Sequence, residues 1–332
     1  MYSEIKYRSF QLLRTFGVEL EVSNTVPKYK IKNAIKAVSK WPVKTLGWGY
    51  SVDNSEWEIK DDSTCGPAGA SGPKGYEIAS FVGSCKDQLQ HIADVADHLR
   101  KKKVEVTDFC GLHIHAWAGG LSVEQVAVIA AYWMKMETFL SMVVPPRRRS
   151  NEFCRHLGQK AKWHINRTQR HEAGAFWDLI KPEDLSPFDN QDRRATLNLV
   201  NFARGIWYPL GHRRKTLELR WPEGTLNGRN VLNWTRLFLH FIETCKDRSM
   251  PDDLLQADMP QALAYLGLHH ENNCFYILSE ELMEVKTWLL ERLIREMEFN
   301  GAYWYGSTTA RRQTRHATDL LNQMWSPLKK YA

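Results

Sequence analysis

The chain is predicted to adopt an α+β fold, and three observations carry that prediction. Three stretches, FGVELEV (16–22), GLHIH (111–115) and TLELR (216–220), alternate apolar side chains with ionisable ones, as strands with one apolar and one polar face do. Between them lie longer segments with apolar residues at helical spacing. Finally, 193–202 reads as a strand whose hairpin partner, 215–221, follows a basic turn at 211–214, so the pairing there is antiparallel.

In the first stretch Glu19 and Glu21 share one side of the strand, about 7 Å apart, while Val18, Leu20 and Val22 take the other. Residues 28–40 follow, with Ile31, Ala34, Ile35 and Val38 on one helical stripe ended by Pro42. Short strands are expected at 48–52 and 57–60. The segment 61–75 is dense in Gly, Pro and Ser and reads as a loop, without a GxxxxGK[ST] phosphate-binding pattern. Extended structure resumes at 75–80. Leu89, Ile92, Ala93, Ala96 and Leu99 form the stripe of a helix whose last turn is basic through Lys103, the charge its dipole favours. After the His-x-His strand, Ser122 caps a helix over 123–142 that Pro145 and Pro146 stop, and a basic loop at 147–154 follows. Past the hairpin the pattern is helical at 231–245, near Leu263 and over 280–297, with a basic tail and no internal repeat.

Lys and Arg outnumber Asp and Glu by 45 to 38, a formal +7 that lies in local runs at 101–103, 147–149 and 213–215 and at Arg311, Arg312 and Arg315. The excess favours anionic ligands. With 13 Trp and 12 Tyr a nucleic-acid surface is one alternative, although no helix-turn-helix or finger pattern accompanies it. Residues 1–14 lack an apolar signal core and the best apolar run, 126–134, is too short to span a bilayer, so a soluble, cytoplasmic protein without a membrane partner is expected. Six scattered cysteines suggest neither a disulfide framework nor a thiolate zinc site.

Glu19, Glu21, His113, Glu218 and Arg220 would gather on one sheet face. Close carboxylates repel one another and burial penalises each charge, which calls for divalent cations. Oxygen-rich ligation suits Mg²⁺ or Mn²⁺, and the imidazole tilts the balance toward Mn²⁺. An Arg two residues from a metal-binding Glu could grip a phosphate with both arms of its fork. A zinc hydrolase is the chemical rival, since His-x-His with a carboxylate also ligates Zn²⁺.

Taken in order, GVELE (17–21), GYEIAS (75–80), GLHIH (111–115), PPRRRSNEFC (145–154), RRATLNL (193–199) and KTLELRWPEGTLN (215–227) closely resemble the amidoligase family, phage- and bacterium-encoded relatives of glutamine synthetase. The resemblance spans 16–234. It implies a curved, mainly antiparallel sheet of glutamine synthetase-like type with helices packed outside, in a catalytic domain expected over 1–250; beyond 234 no resemblance is seen, and the helical pattern there leads to the expectation of a helical extension over 251–332 packed on that domain. It also implies an ATP-dependent carboxylate-amine ligase that forms an amide through an acyl phosphate. The cofactors would be ATP and Mg²⁺ or Mn²⁺, and the substrates a carboxylate and an amine carried by a small molecule, a peptide or a modified nucleotide.

Carried over residue by residue, Glu19, Glu21, Glu77, His113, Glu218 and Asp62 are the expected metal ligands, with Asp61 and Asp53 competing for the place of Asp62. His115, Arg220, Arg193, Asn198 and Asn151 are expected to face the nucleotide, and Arg220, Glu218 and Arg148 to serve the phosphoryl transfer. The family has an aromatic after the Arg193 position where this chain has Arg194, so either arginine could point inward. A nucleic-acid-binding protein with a polar sheet face and a metal-dependent hydrolase are the alternatives to the ligase.

Overall fold

A computed structural model describes residues 14–48, 55–66, 74–149, 151–157, 194–202, 215–249 and 280–304, the side chains of 138 and 297–304 excepted. Its strands are β1 (Phe16–Ser23), β2 (Val43–Thr45), β3 (Trp57–Asp62), β4 (Gly75–Ala79), β5 (Leu112–Trp117), β6 (Leu197–Asn198) and β7 (Thr216–Leu219). They form one open seven-stranded sheet in the order β2-β3-β4-β1-β5-β7-β6. Every neighbouring pair is antiparallel except β2 on β3.

The alternation read from the sequence becomes two faces of different chemistry. Ile59, Ile78, Leu20 and Leu112 stand opposite one another across four strands, and Val18, Ile114, Leu219 and Leu197 make a second apolar row. All eight are shut off from solvent. A one-residue slip of β1 would send Leu20 to the polar face and Glu19 into this layer, so burial pins the register that sets the site.

The helices are α1 (Lys28–Lys36), α2 (Lys86–Lys101), α3 (Val123–Val143), α4 (Pro146–Arg149), α5 (Gly228–Cys245) and α6 (Glu280–Trp304). α5 packs on β5 and against α2, α3 and α6. The stripe on α2 is buried as expected, and Lys103, at φ 62, ends that helix in the left-handed conformation. Ser122 caps α3, accepting from the Gln125 N–H while the Gln125 side chain accepts from the Ser122 N–H. α6 is tied down by Arg292, whose Nε donates to the Val143 carbonyl and whose Nη2 pairs with Glu223 at 2.7 Å. No helix among the described residues is long and apolar enough to cross a membrane.

Several boundaries differ from expectation. α1 stops at Lys36, four residues early, because Ile31, Ala34 and Ile35 complete its buried stripe and Val38 faces solvent. Ser39 then turns to accept from the Trp41 N–H and from Trp57 Nε1. The expected strand at 48–52 falls mostly outside the described residues, and Trp48 lies in a bend, whereas β2 at Val43–Thr45 was not foreseen. The expected 193–202 strand is reduced to Leu197–Asn198, after which the chain turns helical at Val200. The basic loop after Pro145 begins as the single turn α4. α5 starts at Gly228, earlier than 231, because the Asn227 side chain accepts from the Asn230 N–H and caps it. The helical segment near Leu263 and the basic tail lie outside the described residues.

Candidate active site

Opposite the apolar layer, the same registers assemble a charged face. Glu58 lies across from Ala79, which pairs with Glu19, which pairs with His113. Lys60 lies across from Glu77, which pairs with Glu21. Gly17 faces His115, His115 faces Glu218, and Glu218 faces Asn198. Gly17 and Ala79 are the small members of these rows, and they leave the longer chains room to converge.

The convergence is tight. His113 Nδ1 lies 3.4 Å from Glu19 Oε2 and 3.8 Å from Glu218 Oε1, and its Nε2 lies 3.4 Å from Glu21 Oε1. His115 Nε2 lies 3.2 Å from Glu19 Oε1 and 3.9 Å from Glu218 Oε1. Arg220 Nη1 donates to Glu218 Oε1, and Asn198 Nδ2 donates to Glu218 Oε2 at 2.6 Å. Glu19, His115 and Glu218 each offer a ligand atom within 4.8 Å of the other two, enough to hold a metal ion. Among the described residues, His113 Nδ1, His115 Nε2 and Arg220 Nε are buried with no well-aligned hydrogen bond, the two imidazole nitrogens being held only by their ion pairs with Glu19 and Glu218.

Burial and charge act against each other here. Burial pushes the Glu19 carboxyl up, but His115 and His113 outweigh it and hold the group well below the usual carboxylate range. Glu218 is likewise lowered, since Arg220 and the two histidines overcome its burial. Glu21 goes the other way: burial and the nearby Asp62 charge raise it well above normal, against the pull of Arg220 and the Gly111 N–H. Glu77 is pushed up to about 7 by burial and by Glu19, with Lys60 opposing. Burial would lower His115, yet Glu19 and Glu218 raise it to about 9, while burial and Arg220 keep His113 below its ordinary value.

Gly111 is required by close approach. Its N–H donates to Glu21 Oε2 at 2.5 Å. A Cβ at this position would stand 2.9 Å from His113 Nε2 and 3.2 Å from Arg148 Nη2, so the glycine lets three site residues meet.

The other expected residues are placed as follows. Asp62 lies on the site face with Glu58 and Lys60, four and two residues before it on β3, and its Oδ1 accepts from the Thr64 N–H and hydroxyl. Asp61 pairs with Lys28 at 2.6 Å, and Asp53 lies outside the described residues. Arg148 comes to the floor of the site, buried, with Nε donating to the Trp221 carbonyl and Nη2 to the Arg220 carbonyl. Asn151 closes its own turn, its Oδ1 accepting from the Phe153 N–H. Arg193 is outside the described residues, whereas Arg194 is exposed over the Phe153 ring, 4.7 Å away. Arg147 pairs with Asp108 and Arg149 with Glu296, so with Arg148 buried this basic run is not a uniform solvated patch.

A cleft of about 460 Å³ opens beside Glu19 and His115. Its walls include Phe16, Val82 and the 41% exposed Trp117, with Ser80, Thr216, Glu58 and Lys60 as polar members. Glu58 and Lys60 were missed in the sequence. Their signal was present, because Trp57-Glu58-Ile59-Lys60 has the same charged alternation as β1 before Asp61 breaks it.

Comparison with known proteins adds one finding. A family model described as "Putative amidoligase enzyme" matches residues 13–242, from just before β1 to near the end of α5. No curated protein matches the chain.

Proposed function

The chain belongs to the amidoligase family, and on that premise we propose that it is an ATP-dependent carboxylate-amine ligase that makes an amide through an acyl phosphate. The observation that carries the reading is the convergence of Glu19, His115 and Glu218 within 4.8 Å, with Arg220 bonded to Glu218. These residues fit a divalent ion: two carboxylates and an imidazole meet at the largely enclosed face of the sheet, and the imidazole nitrogen is aimed at both carboxylates. Glu21 and His113 stand next to that set. An Mg²⁺ or Mn²⁺ ion held there would neutralise charge on phosphate oxygens.

The remaining parts follow from the chain's own residues. The substrate carboxylate attacks the γ-phosphorus of ATP, ADP leaves, and the amine then attacks the acyl carbon and expels phosphate. No protein nucleophile is needed. Arg220 is anchored through Nη1 and keeps a buried Nε without a partner among the described residues, which suits it to donate to a phosphoryl oxygen as charge develops. Arg148 acts through Arg220 by holding the carbonyls of Arg220 and Trp221, and Asn198 fixes the second oxygen of Glu218. The cleft beside His115 takes the nucleotide, with the exposed ring of Trp117 offering a face for the base. Substrates are a carboxylate and an amine.

Calorimetric titration of a non-hydrolysable ATP analogue tests the reading. Binding is expected in Mg²⁺ or Mn²⁺ and should be lost in chelator. Equal affinity in both conditions would remove the proposed site.

A further inference from the structure

The side of the charged face formed by β3 and β4 contains a cation of its own. Lys60 is 5% exposed, with Nζ 3.0 Å from Glu77 Oε1 on β4 and 3.5 Å from Glu58 Oε2 on its own strand. Carboxylate oxygens from two strands therefore converge on one ammonium. Glu58 Oε1 is buried with no hydrogen-bond partner among the described residues. Glu19 is the next acid of the face, in the Glu58 row, and its charge is felt by Lys60.

We propose that Lys60 is a tethered cation, its ammonium filling the point between Glu58 and Glu77 where a divalent ion would otherwise bind, so that ions are confined to the Glu19, His115 and Glu218 end of the face. The proposal rests on the reading of this face as a divalent-metal site. The physical reason is local neutrality. A buried carboxylate pair without counter-charge is strongly unfavourable, and a free divalent ion or a built-in ammonium can each relieve it. The ammonium is covalently attached and always at hand, so a dissolved ion competes poorly for those oxygens. Its single charge is compact, and unlike guanidinium it occupies a point between two oxygens as a small ion does.

One consequence is that the acids outnumber the ion positions. Glu77, which the family resemblance implies as a metal ligand, would be held by Lys60 instead. The face is then divided between an end for exchangeable ions and an end whose cation belongs to the fold.

The test is Mn²⁺ titration of the full chain, with free Mn²⁺ read by electron paramagnetic resonance, for wild type, Lys60→Met and the double variant Lys60→Met/Glu77→Gln. The single variant should bind one Mn²⁺ more than wild type, and the double variant should lose that extra ion. Lys60→Gln, which keeps a hydrogen-bond donor beside Glu77, serves in its place should the Met variant fail to fold. Mn²⁺ binding by wild type with the same stoichiometry and affinity in the Lys60 variants would overturn the proposal and leave the ligase reading intact. An extra ion in Lys60→Met when wild type binds none would uphold the tethered cation while removing the metal from the proposed function. No binding by any of the proteins would overturn both.

Discussion

His115 makes the metal-free protein lose stability as pH rises, and the size of the loss follows from its surroundings. Its side chain is 16% exposed and lies 3.2 Å from Glu19 and 3.9 Å from Glu218, which raise it from the ordinary 6.5 to about 9. A raised histidine contributes stability that is fully present below pH 6.5 and disappears as pH passes about 9. At about 1.4 kcal/mol per pH unit the whole contribution is about 3 kcal/mol, of which about 2 kcal/mol is lost between pH 7.5 and 9.5. Other groups titrate near this window, notably Glu77 and Cys110, both at about 7, so the informative quantity is a difference. Urea unfolding in chelator at pH 7.5, 8.5 and 9.5 is compared for wild type and His115→Gln, which keeps a neutral polar side chain. The advantage of wild type over the variant should shrink by about 2 kcal/mol across the series. Parallel pH profiles for the two proteins would show that His115 is not held protonated by Glu19 and Glu218.

Arg220→Lys keeps the charge but loses the fork, so turnover should fall on the order of 10²-fold while Mn²⁺ affinity hardly moves; steady-state ADP release beside Mn²⁺ titration decides, and unchanged turnover would rule out the phosphate-gripping role. Glu21→Gln should stabilise the metal-free protein at pH 7.5, because Glu21 is raised by burial and Asp62 and Gln can still accept from Gly111. Glu218→Gln should destabilise it, because Arg220 loses its nearest counter-charge and keeps only Glu21 and Glu19; thermal melts in chelator that move both variants the same way would contradict this division of the acids. Leu20→Ala, at the fully buried centre of β1, should cost about 2–5 kcal/mol in urea unfolding, and a smaller loss would mean that the apolar row does not pin the register.

Much of the site was legible because strands report their faces locally. Glu19 and Glu21, His113 and His115, and Glu218 and Arg220 each sit two residues apart, and period two places each pair on one side whatever the partner strand. The Ser122 cap and the α2 stripe were equally plain, since both depend on neighbours within a turn or two. Charge alone did not mark β3: Glu58, Lys60 and Asp62 alternate as β1 does, but their opposite signs look like an ordinary solvated strand until the fold buries them.

By itself the sequence determined which residues could face one another and, through six ordered motifs, the family; these are properties of local spacing. Only the tertiary structure decided which strands are neighbours, and therefore that Glu19 reaches both histidines, that Lys60 answers Glu77, and that Asp62 rather than Asp61 joins the site face. It also linked Cys65 and Cys110 through Thr107, whose hydroxyl donates to the Cys65 carbonyl and lies against the Cys110 thiol, although their spacing suggested no pairing. Pairing across a sheet is set by long-range burial of the apolar rows, a sum over many residues that no single stretch of chain records.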